Sequence, residues 1–338
     1  MIHVNYLSFN ALYKGLKKSC NNVRWKTSVT QYEINAVKNT AKIIDDISSG
    51  KYKISDYQIF EIFEPKKRTI CATRIKDRHF QRSLCDRYFY PELARHFIYD
   101  NCACQIGKGN VFAVNRMKAH LQKFYRKNRK VCGYYLKCDI HHFFDSIRHD
   151  VAKTAVEKRI PDLSVRQYIY NIIDSFDGDT GIGLGSQVSQ LIALAVLDDM
   201  DHMIKERFRI KHYVRYMDDF ILIHEDRAHL EYCLAEIKKH LSGIGLELNN
   251  KTSLQPLKHG FIFLHWRFIL SNTGKVIMKQ EKSRTVRRRR KLSKMMNLVK
   301  RGELNYDIVD KSVQGMTAHL SHGNCWREIR GIHQIVHK

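Results

Sequence analysis

Three features of this 338-residue sequence predict an α+β fold. Tyr134–Ile140 (YYLKCDI) alternates with the two-residue period of a half-buried strand. Two β-prone runs, Tyr213–Tyr216 and Phe220–Ile223, flank Asp218-Asp219 and read as an antiparallel hairpin. Both ends of the chain have helical patterning. The length suggests two domains, or one domain with subdomains, and is ample for a core. Hydrophobic content of 43% and aromatic content of 11% exclude wholesale disorder.

In chain order, the first 55 residues read as helical and carry no recognisable chemistry. Tyr57–Phe63 reads as a strand broken by Pro65. Helical patterning then runs to Lys130, interrupted by the loop Gly107-Lys108-Gly109. After the Tyr134 strand comes His141-His142-Phe143-Phe144-Asp145, too aromatic for an ordinary turn. The two histidines follow a strand end and are expected to point to opposite sides, which argues against a transition-metal site. Gly181-Ile-Gly-Leu-Gly185 lacks the preceding strand and later acid of a dinucleotide fingerprint. It precedes a densely apolar helix containing Val188, Leu191, Ile192 and Ala195. The chain after Lys279 is again mostly helical. No internal repeat is visible.

Charge is the anomaly. The formal net charge is +25, which points to a polyanionic partner. From Lys66 to Lys130 there are 17 basic and 4 acidic residues, and from Lys279 to Lys338 there are 15 and 5. These segments carry +13 and +10, leaving the other 213 residues at +2. Two basic walls thus bracket a near-neutral middle. The apolar runs Leu191–Leu197 and Phe261–Leu270 are too short to span a bilayer, so no membrane partner is expected. Met1–Phe9 lacks a signal-peptide layout. Nine cysteines without a CxxC pair read as reduced thiols in a cytoplasm.

The near-neutral middle holds the acids that suggest chemistry. Should the strand ending at Asp139 pack beside the hairpin, Asp139, Asp218 and Asp219 would converge as hard oxygen ligands. Mg²⁺ suits such a site, since it recruits substrate phosphates as further ligands. Two ions about 4 Å apart can activate a 3′-hydroxyl and stabilise a leaving pyrophosphate.

These residues resemble those of reverse transcriptases, the bacterial branch in particular. Tyr216-Met217-Asp218-Asp219 resembles the YxDD palm motif, and Asp139–Ile147 (DIHHFFDSI) resembles the first palm motif. Lys66-Lys67-Arg68 and Lys76-Asp77-Arg78 resemble fingers motifs. Gly185–Gln190 (GSQVSQ) resembles the GxxxSQ element, and Gly245–Thr252 the lysine-bearing motif after the catalytic hairpin. Gly260–Arg267 resembles the primer grip, with His265 in place of the glycine of FLG. The resemblance spans roughly Tyr57 to Phe268.

The resemblance implies a right-hand polymerase. Its fingers would occupy 56–130 and 150–180, its palm 131–149 and 181–275, and its helical thumb 276–338, after an N-terminal helical extension over 1–55. Asp139, Ile140, Asp218 and Asp219 would hold two Mg²⁺, with Mn²⁺ as a substitute. Lys251 would protonate the leaving pyrophosphate. Lys66, Lys67, Arg68 and Arg74 would bind the triphosphate, Gln190 would contact the nucleotide, and Phe144 would clash with a ribose 2′-OH, while Phe143 packs inward. Gly185 and Ser189 would face template, and Arg284, Arg287, Arg288, Arg289, Arg290, Lys291 and Lys294 would track duplex phosphates. Asp77-Arg78 reads alternatively as a structural ion pair.

The implied reaction is RNA-directed DNA synthesis from dNTPs on an RNA template, through an RNA/DNA hybrid. No RNase H, endonuclease, maturase or integrase pattern is visible, so a non-mobile, single-domain enzyme is expected. Antiphage-defence enzymes and diversity-generating retroelement enzymes both fit. Both typically use a dedicated non-coding RNA, and often a small accessory protein; a homo-oligomer is the alternative. The Ser189-Gln190 ending favours the retroelement group, and the primer-grip His265-Trp266-Arg267 favours defence. A non-catalytic RNA-binding scaffold and template-independent or protein-primed synthesis are the competing classes.

Overall fold

The computed structural model describes residues 5–63 and 67–336. In chain order its elements are helices α1 (Phe9–Cys20), α2 (Thr27–Ile34) and α3 (Ala36–Ser48), then strands β1 (Gln58–Ile62) and β2 (Arg68–Ala72). Helices α4 (Ile75–Leu84), α5 (Tyr90–Ala94) and α6 (Asn110–Asn128) precede β3 (Tyr134–Asp139). Next come α7 (Phe143–Ser146), α8 (His149–Glu157), α9 (Leu163–Asp174), α10 (Gln187–Val196) and α11 (Asp198–His202). The hairpin β4 (His212–Tyr216) and β5 (Asp219–His224) leads into α12 (Arg227–Gly243). Strands β6 (Ser253–Pro256), β7 (Phe261–Phe263), β8 (Trp266–Leu270) and β9 (Val276–Gln280) follow. Helices α13 (Lys282–Lys300), α14 (Tyr306–Leu320) and α15 (Trp326–Val336) end the described chain. Among the described residues no helix is long and apolar enough to cross a membrane.

One sequence expectation fails here. Arg68–Ala72 is a strand rather than helix, and it pairs antiparallel with β1 through Ile59↔Cys71, Phe60↔Ile70 and Glu61↔Thr69. Its β-branched Thr69 and Ile70 favour the pleat, but five residues between basic clusters are too few to show a period. Lys66 lies outside the described residues.

The chain divides into two compact units, the first comprising 1–106, 139–209 and 235–250. Within it α1 packs on α4, and Leu16, Cys20, Val29 and Ala36 form one buried cluster. Helix α10 is nearly all core, with Val188, Leu191, Ile192, Ala193 and Leu194 at most 1% exposed. Its N-cap is Ser186, whose hydroxyl accepts from the Val188 N–H.

The glycine run before α10 has a packing explanation. Cys71 N–H donates to Leu184 C=O at 2.8 Å, so the run lies against β2. A Cβ on Gly183 would sit 2.5 Å from the Phe176 ring and 2.7 Å from Cys71 Cβ. Gly185 has φ +121° and would press a Cβ to 3.1 Å from Cys71 O. Close backbone approach, not phosphate cradling, explains the repeat.

The second unit comprises 107–138, 210–234 and 251–338. Its four-stranded sheet has the order β4-β5-β3-β6, and a separate sheet has the order β7-β8-β9. Strand β3 pairs antiparallel with β6 through Tyr135↔Gln255 and Lys137↔Ser253. The sheets are joined by Lys137 Nζ, which donates to Ile262 O at 2.8 Å, and by the Tyr135 and Phe261 rings at 5.0 Å. Val276–Gln280 closes the second sheet as β9, and α13, α14 and α15 pack together over Leu292, Val309, Val313 and Ile332.

Gly183→Val should therefore destabilise the protein by about 1–3 kcal/mol through overpacking against β2. Urea unfolding checks this, and an unchanged midpoint would refute the packing account.

Candidate active site

The β4–β5 hairpin closes with Tyr216↔Asp219 as its last pair, leaving Met217 and Asp218 as a two-residue loop. Met217 has φ +60° and Asp218 is not among the positive-φ residues. Glycine usually fills such a first loop position, because a side chain there costs roughly 1–2 kcal/mol. The compensation comes from Arg215, which is 0% exposed. Its Nη1 donates to Met217 O at 2.9 Å. A hydrogen bond to a charged group contributes about 1.5–3 kcal/mol, enough to offset the strain. The sequence reading missed Arg215, whose one signal was a charge inside an otherwise apolar strand.

Strand β3 ends at Asp139 and is the sheet neighbour of β5, which begins at Asp219. Beyond the strand, Ile140 forms an antiparallel bridge with Leu248. That bridge is flanked by His141 N–H to Glu247 O and by Asn249 N–H to Asp139 O, at 2.8 and 2.7 Å. Ile140 is thus in a non-hydrogen-bonded pair, and its own carbonyl points away from Leu248. Asp139, Asp218 and Asp219 are all half-buried. Among the described residues no three His, Cys, Asp or Glu side chains form a ready-made metal cluster. Carboxylates and a backbone carbonyl are hard oxygen donors of the kind Mg²⁺ takes, and Mg²⁺ needs only one or two carboxylates because water and phosphate complete its shell.

His141 and His142 do not point to opposite sides. Their rings are perpendicular with centroids 4.2 Å apart, because His142 has φ +43° and turns back. His142 Nδ1 lies 3.7 Å from Asp145, so the pair is a local contact.

In the first unit, the glycine run is hydrogen-bonded to the two segments that carry Phe144 and Arg68. Ile182 N–H donates to Phe144 O at 2.9 Å, and Leu184 C=O accepts from β2, which carries Arg68. Phe143 is buried at 3% while Phe144 is half-buried. Arg68 is exposed. Lys67 is ion-paired with Glu61 at 2.9 Å, and Arg74 donates to Asp56 O. Gly185 is exposed and Gln190 half-buried. Ser189 is 0% exposed and its hydroxyl is sealed from solvent, so it cannot face template. The apolar helix that the sequence reading recognised buries this position too. Asp77 is also fully buried and does not pair with Arg78. It accepts from Tyr52 OH at 2.7 Å and Ser55 N–H at 3.1 Å, while Arg78 donates to Thr73 O.

In the second unit, Lys251 is exposed two residues before Ser253, the partner of Lys137. The segment that resembles a primer grip is a β7–β8 hairpin whose loop residues Leu264 and His265 both have positive φ. His265 O accepts from Gln280 Nε2 and Glu281 N–H, which hold this turn. Arg288 in turn donates to Gln280 Oε1 at 2.9 Å. Burial, and Arg284 beside it, pulls the Arg288 pKa below the ordinary arginine value. Arg288 therefore supports the hairpin rather than tracking phosphate. Arg284 is likewise half-buried, and the Arg289 guanidinium lies against Gly331 of α15. Arg287, Arg290, Lys291 and Lys294 are exposed, and their i, i+3, i+4, i+7 spacing puts them on one face of α13.

An aspartate-bearing hairpin beside a strand ending in aspartate, on an antiparallel sheet with flanking helices, is a polymerase-like arrangement. Residues 64–264 match the family described as Reverse transcriptase (RNA-dependent DNA polymerase), and the chain belongs to that family. It is 23% identical over 276 residues to Protein YkfC of Escherichia coli (strain K12), covering 67% of this chain and 70% of that one. Its fold is similar to telomerase from Candida albicans, solved in complex with a TWJ fragment of telomeric RNA. The TM-score is 0.54 at 12% identity, over 85% of this chain and 60% of that one. Apo telomerase from Candida tropicalis gives 0.51 at 13%, over 88% and 65%. The chain thus spans less than two thirds of these telomerase chains.

Arg215→Met should lower stability by about 1–3 kcal/mol, because Met217 O loses its donor. It should also speed amide hydrogen exchange across Met217–Phe220. Unchanged exchange there would show that the turn does not depend on Arg215.

Proposed function

We propose that this protein is an RNA-directed DNA polymerase that extends a primer 3′-hydroxyl with dNTPs. The observation that carries the reading is the tight Met217-Asp218 turn on β5, next in the sheet to the strand that ends at Asp139. Asp139, Asp218, Asp219 and the Ile140 carbonyl would hold Mg²⁺. The bound metal supplies activation of the 3′-hydroxyl and charge neutralisation on the pyrophosphate. Arg68, with Lys66 and Lys67, grips the triphosphate, because guanidinium and ammonium groups bind phosphate oxygens. Phe144 stands against the ribose 2′ position, Gln190 contacts the nucleotide, Gly185 faces template, and Lys251 gives a proton to the leaving pyrophosphate.

In this reading β1–β2 and the helices that follow are fingers, the β4-β5-β3-β6 sheet is palm, and α13–α15 are thumb. The exposed face of α13 runs along the duplex backbone. The template is an RNA and a dedicated structured RNA is the partner; the +25 charge suits a nucleic-acid backbone of either kind. The biological setting is antiphage defence. Ser189-Gln190 favours the second reading, a diversity-generating retroelement enzyme. Sequencing the nucleic acid that copurifies separates the two, since the latter carries its own variable-gene template.

On a primed poly(rA) template with Mg²⁺ and dTTP, the protein should incorporate nucleotide, and Asp218→Asn should lower the rate by about 10³-fold, roughly 4 kcal/mol. Full activity in Asp218→Asn would exclude this site, and an inactive RNA-loaded wild type would favour the scaffold class. Replacing Arg287, Arg290, Lys291 and Lys294 with Gln should weaken hybrid binding. It should also flatten the slope of log affinity against log salt by about one per lost phosphate contact. Arg288→Gln should leave that slope unchanged, measured by fluorescence anisotropy across salt concentrations.

A further inference from the structure

Apart from the polymerase site, the first unit contains a cavity of about 330 Å³ between α4, α9 and the segment before β1. Its size is at the small end of ligand pockets and suits one base or nucleoside rather than a dinucleotide. Three of its ten lining residues are aromatic, and Lys76 Nζ already lies over the Tyr52 ring, 4.9 Å from its centroid. The Tyr52 and Phe80 rings are 5.0 Å apart, and Phe80 meets Tyr168 edge-on at 5.4 Å.

The polar groups of the lining sort into two sets. One set is already engaged within the protein. Tyr52 OH donates to Asp77, Ser175 Oγ bonds Ile172 O and Tyr57 OH, and Asp174 pairs with Lys153 at 2.6 Å. The other set retains donors. Gln81 is 5% exposed, and its Oε1 accepts from Ser186 while its Nε2 makes no bond among the described residues. Asn171 Oδ1 likewise accepts from Gln167, leaving Nδ2. Lys53 supplies an exposed ammonium at the rim.

We propose that this cavity binds a single carbonyl-bearing nucleobase, uracil or guanine, with its phosphate against Lys53. A planar ring stacks on tyrosine whatever its substituents, so the aromatic residues supply affinity. Selectivity comes from the two amide donors, which match the O2 and O4 carbonyls of uracil or the adjacent O6 and N7 acceptors of guanine, whereas adenine sets an amine donor beside its N7 and so opposes one of them. Gln81 also accepts from Ser186, the N-cap of α10, which fixes its amide at the cavity wall. The base comes either from a free nucleotide or from an RNA strand.

Binding is read by calorimetry on the full chain in EDTA without primer, which keeps the result independent of polymerisation. The probes are UMP, GMP, AMP and the octamers U8 and A8. UMP or GMP binding at least tenfold tighter than AMP supports a free-nucleotide site. Binding of U8 at least tenfold tighter than A8, without the mononucleotides, supports capture of a strand base. Asn171→Leu and Lys53→Ala, both at exposed side chains, should each weaken the preferred probe about tenfold, whereas Arg68→Ala should leave it unchanged. The proposal is overturned if no probe binds at millimolar concentration, if U and A probes bind equally, or if both cavity variants bind as wild type.

Discussion

The connection between β4 and β5 is made in two residues, and much of the candidate site depends on that constraint. A two-residue loop leaves no slack, so the carboxylate of Asp218 and the first residue of β5 are placed by the strands themselves. The same tightness forces Met217 to positive φ, where a side chain is disfavoured. Arg215 resolves the conflict from inside the sheet, at the cost of burying a guanidinium. Such a charge is tolerable only in a satisfied network, which ties the geometry of the turn to the integrity of the core behind it.

A comparable economy is visible around the glycine run. The Gly181–Gly185 backbone hydrogen-bonds to β2 on one side and to the Phe144 segment on the other. The residues proposed to grip a triphosphate and to sense a ribose are thereby connected through backbone alone. Ser186 closes the arrangement by capping α10 and reaching Gln81. These backbone contacts hold the spacing only while Gly183 and Gly185 carry no Cβ.

The basic surface of α13 is divided by its helical period. Arg284 and Arg288 share a side with the buried Leu292, and Arg288 holds the β7–β8 turn through Gln280. Arg287, Arg290, Lys291 and Lys294 face solvent. A charge run that reads as one electrostatic feature thus includes a structural residue, Arg288. The two turns, Met217-Asp218 and Leu264-His265, both place non-glycine residues at positive φ, and each is held by polar side chains or backbone from neighbouring elements.

The α+β class, the β3 strand, the aspartate hairpin and the helical ends were legible in the sequence because period and composition are local properties. So were the family motifs and the inward packing of Phe143. Strand β2 was not legible, since five residues between charges carry no period. Arg215, Ser189, Asp77 and Arg288 were misread or missed for one shared reason. Whether a polar group faces water or a buried partner depends on contacts with residues distant in sequence, Ser55 and Tyr52 for Asp77, and Gln280 for Arg288. The sequence by itself determined which chemistry the chain carries. Tertiary structure alone decided which of its charges and hydroxyls are directed inward, because burial is set by packing between segments and not by the residue or its neighbours along the chain.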